Sequence, residues 1–333
     1  MPEAAAAAPR GRVQAYVHRL ASGHLTLSAV LIIVLIIALV ALDVGVLLAN
    51  NPSLLSSPRY YLALGESLSF GYQPNLDFAD GFVDDVFADL HAQSPGTALV
   101  NYACAGETSG TMIQGSCPAH LIHHNAYSGP QLAAAVSFLR RHSGHVAPIT
   151  LGVGSNDLLP DWDTTTCSPV PNATADLARL DADLTQTILP QLTAAVSPPL
   201  GTTSPNFLML NYYNPFAKVC SGSAVFVHQL NDHLATDAAQ FHIPVVDVYN
   251  AFGGDAHMAD NLCIYTWVCD SNANNDIHPT TVGYHVIAQA IEQALGIPVV
   301  RGAGGGPART QQARHERLLA WRQRDAQHTA HAV

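Results

Sequence analysis

Basic residues are scarce in this chain. Its 333 residues include 14 Lys plus Arg against 25 Asp plus Glu, and most of the basic ones sit at the two ends. Between Asn50 and Val300 they are Arg59, Arg140, Arg141, Arg179 and Lys218, five against the 21 acids left once Glu3, Asp43, Glu316 and Asp325 are set aside. A body with a net charge of −16 repels polyanions, so nucleic acid is not expected as a partner. Cysteine is missing from the first hundred residues, and no Cys-x-x-Cys occurs anywhere. The pairing that structural zinc sites need is therefore absent, and no metal is expected. No internal repeat is visible, which removes the solenoid and propeller classes.

Charge is also missing from Leu25 to Leu42, a continuous apolar run with no polar face. Asp43 interrupts it before Val44 to Ala49 resume the pattern. About 20 apolar residues cross a bilayer as a helix, so residues 25–49 read as a transmembrane signal-anchor. Arg10, Arg12 and Arg19 in the preceding segment 1–24 keep that end cytoplasmic by charge bias. A cleaved signal peptide competes, but its apolar region is usually shorter, and no small-x-small site succeeds it cleanly. Both readings export the residues after this run, so the expected location is the outer face of the cell membrane, or secretion if the segment is cleaved. Residues 50–58 form a short linker. Residues 301–333 open with Gly302-Ala303-Gly304-Gly305-Gly306-Pro307, a linker composition, and read as a basic solvated tail. A basic amphipathic helix around Leu318 to Trp321 on an anionic membrane is the competing reading.

Within 59–300, short apolar runs alternate with helical patterns. Strands are expected at Tyr60–Leu64, Ala98–Tyr102, Ile149–Val153, Phe207–Asn211 and Val245–Val248. Helices are expected at Gly81–Ala92, Pro130–Arg141, Ala173–Ala195, Ala224–Gln240 and Thr280–Leu295. Fully apolar strands that alternate with helices imply a parallel sheet covered on both faces.

Chemistry-bearing motifs fall just after these strands. Gly65-Glu66-Ser67-Leu68-Ser69 comes after the first. Asn101-Tyr102-Ala103-Cys104-Ala105-Gly106-Glu107-Thr108 comes after the second, and Gly152-Val153-Gly154-Ser155-Asn156-Asp157 after the third. Asn275-Asp276-Ile277-His278-Pro279 lies near the end of the body. A serine hydroxyl needs an imidazole to take its proton during attack. A glycine lets a backbone N–H approach a substrate oxygen, and an asparagine amide adds a further donor. One such donor to an oxyanion is worth about 3–4 kcal/mol.

Over roughly Arg59 to Pro298 the chain resembles the SGNH, or GDSL, hydrolases, named for Ser, Gly, Asn and His in separate blocks. The resemblance implies a three-layer α/β/α sandwich with a five-stranded parallel, flavodoxin-like sheet. It also implies Ser67 as nucleophile, His278 as base, and an oxyanion hole from the N–H groups of Ser67 and Gly106 with the Asn156 side chain. Gly-x-Ser-x-Gly is absent, so the α/β-hydrolase elbow is not expected. Glu66 stands where the family usually has aspartate and reads as a structural hydrogen-bonder beside Ser67.

One departure concerns the third member of a triad. The family usually has aspartate three residues before the histidine, and that position is Asn275, with Asp276 only two away. Three readings stand: Asp276 swings in from a shifted loop, a backbone carbonyl orients the imidazole in a Ser–His dyad, or the enzyme is weak. The i−2 position of Asp276, in place of the usual i−3, tilts the expectation towards the dyad.

The six cysteines all lie in the exported part, where an even count reads as disulfides. Fifteen pairings are possible, and local pairing, Cys104–Cys117, Cys167–Cys220 and Cys263–Cys269, is the simplest. Other residues have plain readings. His120, His123 and His124 read as a surface loop, Asp84-Asp85 and Asp161/Asp163 as solvated faces and loop ends. Asn172-Ala173-Thr174 reads as a helix start, although it also fits the glycosylation acceptor pattern. Tyr212 and Tyr213 read equally as cleft lining and as core.

The sequence therefore points to a membrane-anchored, outward-facing serine esterase without a cofactor, acting on a small-molecule or lipid ester. An acyltransferase that hands the acyl group to a sugar or lipid hydroxyl is the first alternative. A non-catalytic binding module on a decayed hydrolase scaffold is the second.

Overall fold

Five apolar runs pair side by side into one parallel sheet in the computed structural model, which describes residues 27–50, 59–119, 122–196 and 207–297. The expectations for 1–24, for nearly all of the linker 50–58, for His120 and for the tail 301–333 lie outside the described residues. The chain divides into two units, Met1–Ser56 and Ser57–Val333.

In the first unit Leu27–Asn50 is a single helix of 24 residues. Its described side chains, at residues 30–40 and 42, are all exposed. Among the described residues, no helix is long and apolar enough to cross a membrane. The stretch of this helix whose side chains are described is shorter than the about 20 residues a span needs. The span expected over 25–49 is therefore not found there.

The second unit is built on β1 (Arg59–Gly65), β2 (Thr97–Asn101), β3 (Val146–Gly152), β4 (Phe207–Leu210) and β5 (Val245–Val246), in the order β2-β1-β3-β4-β5. All neighbours are parallel. Tyr61 to Leu64 on β1 and Ile149 to Leu151 on β3 have no exposed surface. That is why these strands read as unbroken apolar runs and not as alternating ones. The Tyr61 hydroxyl meets Thr150 Oγ1 across the β1–β3 pair at 2.9 Å, which satisfies the two buried polar groups of this stretch. Helices Phe82–Gln93, Gly254–Tyr265 and Thr281–Leu295 pack together in one layer. Gln131–Arg141 and the long segment from Ala173 to Ala195 pack together in the other. The result is a three-layer α/β sandwich with a five-stranded parallel sheet.

Three details depart from the sequence reading. The expected helix Ala173–Ala195 is interrupted by a π turn at Leu184–Ile188, just before Pro190. Proline supplies no N–H and crowds the preceding turn, so the helix widens there to pass it. Val248 starts a short helix behind an Asp247 N-cap and does not extend β5. The helix Gly254–Tyr265 has no counterpart among the expected ones; it is polar over much of its length and carries no clear apolar stripe.

Candidate active site

The turn after β1 sets the position of Ser67. Gly65 has φ +122°, and a Cβ there would lie 1.9 Å from Gly152 O, so only glycine fits beside β3. The Gln131 side chain fixes the same residue from the other side. Its Oε1 accepts the Gly65 N–H at 2.7 Å, and its Nε2 donates to Gly65 O at 2.9 Å. Glu66 then donates its backbone N–H to Gly152 O at 2.9 Å. Ser67 opens a one-turn helix, Ser67–Phe70, where first-turn N–H groups lack intrahelical acceptors.

His278 reaches Ser67 from the opposite end of the chain. Its Nε2 lies 2.9 Å from Ser67 Oγ, and its Nδ1 lies 2.7 Å from Asp276 Oδ1. Asp276 Oδ1 also accepts the His278 backbone N–H at 2.8 Å. Residues two apart in an extended segment share a face, so the i−2 spacing does not keep Asp276 from the imidazole, and the dyad expectation is not met. Asn274 and Asn275 both have positive φ, 55° and 53°, a conformation asparagine tolerates better than most residues. Two left-handed residues in a row turn the chain just before Asp276, while Asn275, at the usual aspartate position, stays exposed. Burial alone would raise the Asp276 carboxyl, but the hydrogen bonds from His278 and the charge of its ring outweigh this, and its pKa is lowered.

The backbone around His278 is held by a second strip of chain. Trp267 N donates to His278 O at 3.0 Å, Thr280 N to Tyr265 O at 2.8 Å, and Thr266 bridges Pro279. A Cys263–Cys269 disulfide closes that strip. The Tyr213 hydroxyl donates to Ile277 O at 2.6 Å, and the Tyr72 ring sits 4.6 Å from the imidazole.

The other disulfides are Cys104–Cys117 and Cys167–Cys220. The first closes the loop that carries Gly106, which has φ +83°. Glu107 lies close to both sulfurs of that disulfide. A disulfide offers no thiolate, so this group is not a metal site as it stands.

Asn156, on the short helix Ser155–Leu158, is more committed than its expected role implies. Its Nδ2 donates to Glu66 Oε2 and to Glu107 O, both at 2.9 Å. Ser155 Oγ also donates to Glu66 Oε2. Glu66 is buried, and burial pushes its carboxyl up to about 8, further than hydrogen bonding from Ser155 lowers it. Burial thus favours the protonated carboxyl there.

A cavity of about 250 Å³ opens at these groups, lined by Ser67, Ser155, Asn156 and His278 on its polar side and by Leu159, Pro160, Tyr213, Pro215, Phe216 and Ile277 among others. Gly106 is not among its lining residues. Tyr212 and Tyr213 are both buried and both line it, so the two readings of the tyrosines hold together.

Several residues sit otherwise than their sequence context suggests. Asp84 does not lie on a solvated face: it is buried and accepts the Gly81 N–H at 3.4 Å to cap its helix. His124 Nε2 meets Phe70 O at 2.8 Å. Gln131 belongs to no motif, yet it is buried and also donates to Glu107 Oε2 at 2.9 Å. Its place at the first turn of an apolar-faced helix, on the inward side, is the only signal the sequence offers. Asp157 falls inside its motif without an assigned role. It accepts from Ser109 Oγ at 2.6 Å and joins the second and third blocks.

Known proteins resemble this chain in family and in fold. A family model described as the GDSL-like Lipase/Acylhydrolase family matches residues 63–286. No curated protein matches. Among solved structures, a catalytic mutant of Axe2, an acetylxylan esterase from Geobacillus stearothermophilus, aligns with a TM-score of 0.50 at 16% identity, over 74% of this chain and 98% of that one. LAE5, an alpha/beta hydrolase enzyme from the metagenome of Lake Arreo, Spain, gives 0.49 at 18% identity over 73% and 97%. The lipase Lip_vut3 from goat rumen metagenome gives 0.48 at 18% over 71% and 97%. At these identities the likeness is one of fold.

Proposed function

The chain belongs to the GDSL-like lipase/acylhydrolase family, and on that premise we propose that it is a serine ester hydrolase working through an acyl-enzyme. The observation that carries the reading is the line of contacts from Asp276 through His278 to Ser67, 2.7 and 2.9 Å long, at the mouth of a cavity. Ser67 Oγ attacks the ester carbonyl as its proton passes to His278 Nε2. Asp276, a carboxylate, holds Nδ1–H in place and stabilises the imidazolium. The same proton then goes to the leaving alcohol oxygen. Water repeats the sequence on the acyl-enzyme, with His278 as base.

The oxyanion is received by the N–H groups of Ser67 and Gly106. Asn156 is the third donor, and both its amide hydrogens are already engaged. A neutral carboxyl at Glu66 is a weaker acceptor than a carboxylate, so Asn156 Nδ2 can share a hydrogen with the developing oxyanion at small cost. No metal or organic cofactor enters this chemistry. The partner is a small-molecule or lipid ester, and the acidic body disfavours nucleic acid.

The same reading puts the hydrolase domain on the outer side of the cell membrane, anchored through segment 25–49. Its support is the apolar sequence of that segment, the exposure of the side chains described at residues 30–40 and 42, and three disulfides in the body, a pattern of oxidising compartments. The central test is Ser67→Ala. Ester hydrolysis should fall by about 10⁴ to 10⁶ with the thermal transition kept; near-normal turnover by the folded variant would remove the proposal.

A further inference from the structure

Beside the oxyanion loop lies a group of reactive side chains that ester cleavage leaves unused. The sulfurs of Cys104 and Cys117 and a carboxyl oxygen of Glu107 lie within 4.8 Å of one another. Cys104 and Glu107 are each 1% exposed, whereas Cys117 is partly exposed. Cys117 also lines a hollow of about 620 Å³ with Gly115, Ser116, His123, Ala126 and Tyr127. Ser116 and Ala126 are exposed, so the hollow is open to solvent. A thiol that enters it meets the Cys117 sulfur and not the Cys104 sulfur.

The carboxyl suits the step that such an attack requires. Thiol–disulfide exchange expels a thiolate, and the ease of that departure sets its rate. A thiolate left at buried Cys104 is costly, because burial disfavours the charged form. Glu107 can supply the missing proton. Its Oε2 accepts from Gln131 Nε2 at 2.9 Å, and its buried Oε1 has no hydrogen-bond partner among the described residues. Burial raises the pKa of this carboxyl, further than hydrogen bonds from Thr111 and Gln131 lower it. Among the described residues, neither of the other two disulfides has a carboxyl grouped with both of its sulfurs.

The same group is joined to the catalytic parts at three points. Glu107 O accepts from Asn156 Nδ2 at 2.9 Å. Gln131, which binds the Glu107 carboxyl, also grips both backbone groups of Gly65. Pro118, next to Cys117, packs so close to Gly106 that a Cβ there would lie 3.2 Å from its ring. Opening the disulfide releases the Cys117–Pro118 side of that contact and loosens the Gly106 N–H.

We propose that Cys117 is a modification site for a low-molecular-weight thiol, which forms a mixed disulfide there with Glu107 as proton donor to Cys104 and so switches ester hydrolysis off. The thiol loses its proton to solvent and its sulfur attacks Cys117 Sγ. The new S–S bond forms as the bond to Cys104 breaks; the entering sulfur is oxidised and the Cys104 sulfur reduced. Cys104 takes the Glu107 proton as it leaves. In reverse, Cys104 returns that proton, attacks Cys117 and expels the thiol, so the switch resets without an outside oxidant. The site stands apart from the esterase reading, and only the loss of hydrolysis rests on it.

The test incubates the full chain with reduced glutathione, traps it with iodoacetamide and maps the cysteines by peptide mass. Glutathione should appear on Cys117 and the alkyl label on Cys104, while hydrolysis of p-nitrophenyl acetate falls about tenfold or more. Removing the glutathione should restore both the disulfide and the rate. Glu107→Gln should slow adduct formation at Cys117 by about tenfold, with exchange at Cys263–Cys269 at the wild-type rate. Ala126→Trp, on the exposed wall of the hollow, should slow glutathione but not the smaller 2-mercaptoethanol. Exchange at the other disulfides with no adduct on Cys117 overturns the inference. So does an adduct rate within twofold of wild type in folded Glu107→Gln; if that variant fails to fold, the Ala126→Trp comparison decides. A Cys117 adduct with unchanged hydrolysis overturns the switch and leaves the esterase standing. An adduct on a protein with no Ser67-dependent hydrolysis beforehand overturns the esterase reading and not the site.

Discussion

Ser67 sits at the end of a central strand, whereas His278 sits on a loop, and the two are held by different means. Around Ser67 the restraints are buried: Gln131 grips both backbone groups of Gly65, and Glu66 is tied to β3, Ser155 and Asn156. Around His278 they are a short bridge to residues 265–267, one disulfide and the Tyr213 hydroxyl, with Ser271, Asn272, Asn274 and Asn275 exposed. Segments with few buried contacts open at far lower free energy than the core. Misplacing the nucleophile therefore requires disturbing the sheet, but misplacing the base requires only loosening a loop.

The sharpest way to break that contrast is to remove the carboxylate that orients the base. Asp276→Asn should lower kcat by up to about 10⁴, by the logic of a triad with the wrong tautomer, at nearly unchanged thermal stability. Asn275→Asp should not rescue it, because residue 275 is exposed and the imidazole is already served. A folded Asp276→Asn protein within a few-fold of wild type would show that something other than Asp276 orients the ring.

A smaller effect is expected at the staple. The paired substitution Cys263→Ser with Cys269→Ser opens a loop of six-residue separation, worth about 2 kcal/mol in the chain-entropy model. Activity at 25 °C should fall at least tenfold, well before the protein melts. If activity and melting decline together, the two regions are not held separately. The same preparation of wild type, alkylated without reduction, should show no free thiol; six modified cysteines would contradict both the disulfides and the export proposal.

The smallest effect belongs to Glu66. Its folded pKa of about 8 lies above the ordinary 4.5, so the native state holds a proton that the unfolded chain has lost between those values. Its stabilising contribution is complete below about pH 4.5 and falls away as pH rises towards 8. Glu66→Gln keeps the neutral shape and should flatten that decline between pH 5 and 8, with kcat/KM at pH 7 within a few-fold. An unchanged pH slope in the variant would show that Glu66 is already ionised in the native protein.

The legible and the hidden parts of the molecule divide along a physical line. The five strands are legible because buried parallel strands are apolar throughout, and the motif glycines because tight turns leave no substitute. The role of Asp276 is not, since it stands one place nearer the histidine than the family's usual aspartate, and only the folded loop shows which side chain meets Nδ1. Gln131 and Asp84 are hidden for a related reason. A polar side chain turned inward looks, in one dimension, like any solvated one; the partner across the fold, Gly65, distinguishes Gln131, and the local bond to the Gly81 N–H distinguishes Asp84.

The near-contact of Gly65 with Gly152 has a bearing on how this protein can change. With 1.9 Å between a Cβ at 65 and the carbonyl oxygen at 152, neither evolution nor a mutagenesis library can vary the turn stepwise. Any side chain there forces β1 and β3 apart before a second change could compensate. Heritable variation in substrate choice is thereby channelled to the rim of the cleft, where Leu159 is partly exposed and Pro160 exposed. The scaffold is closed to drift at one end of its active site and open to it at the other.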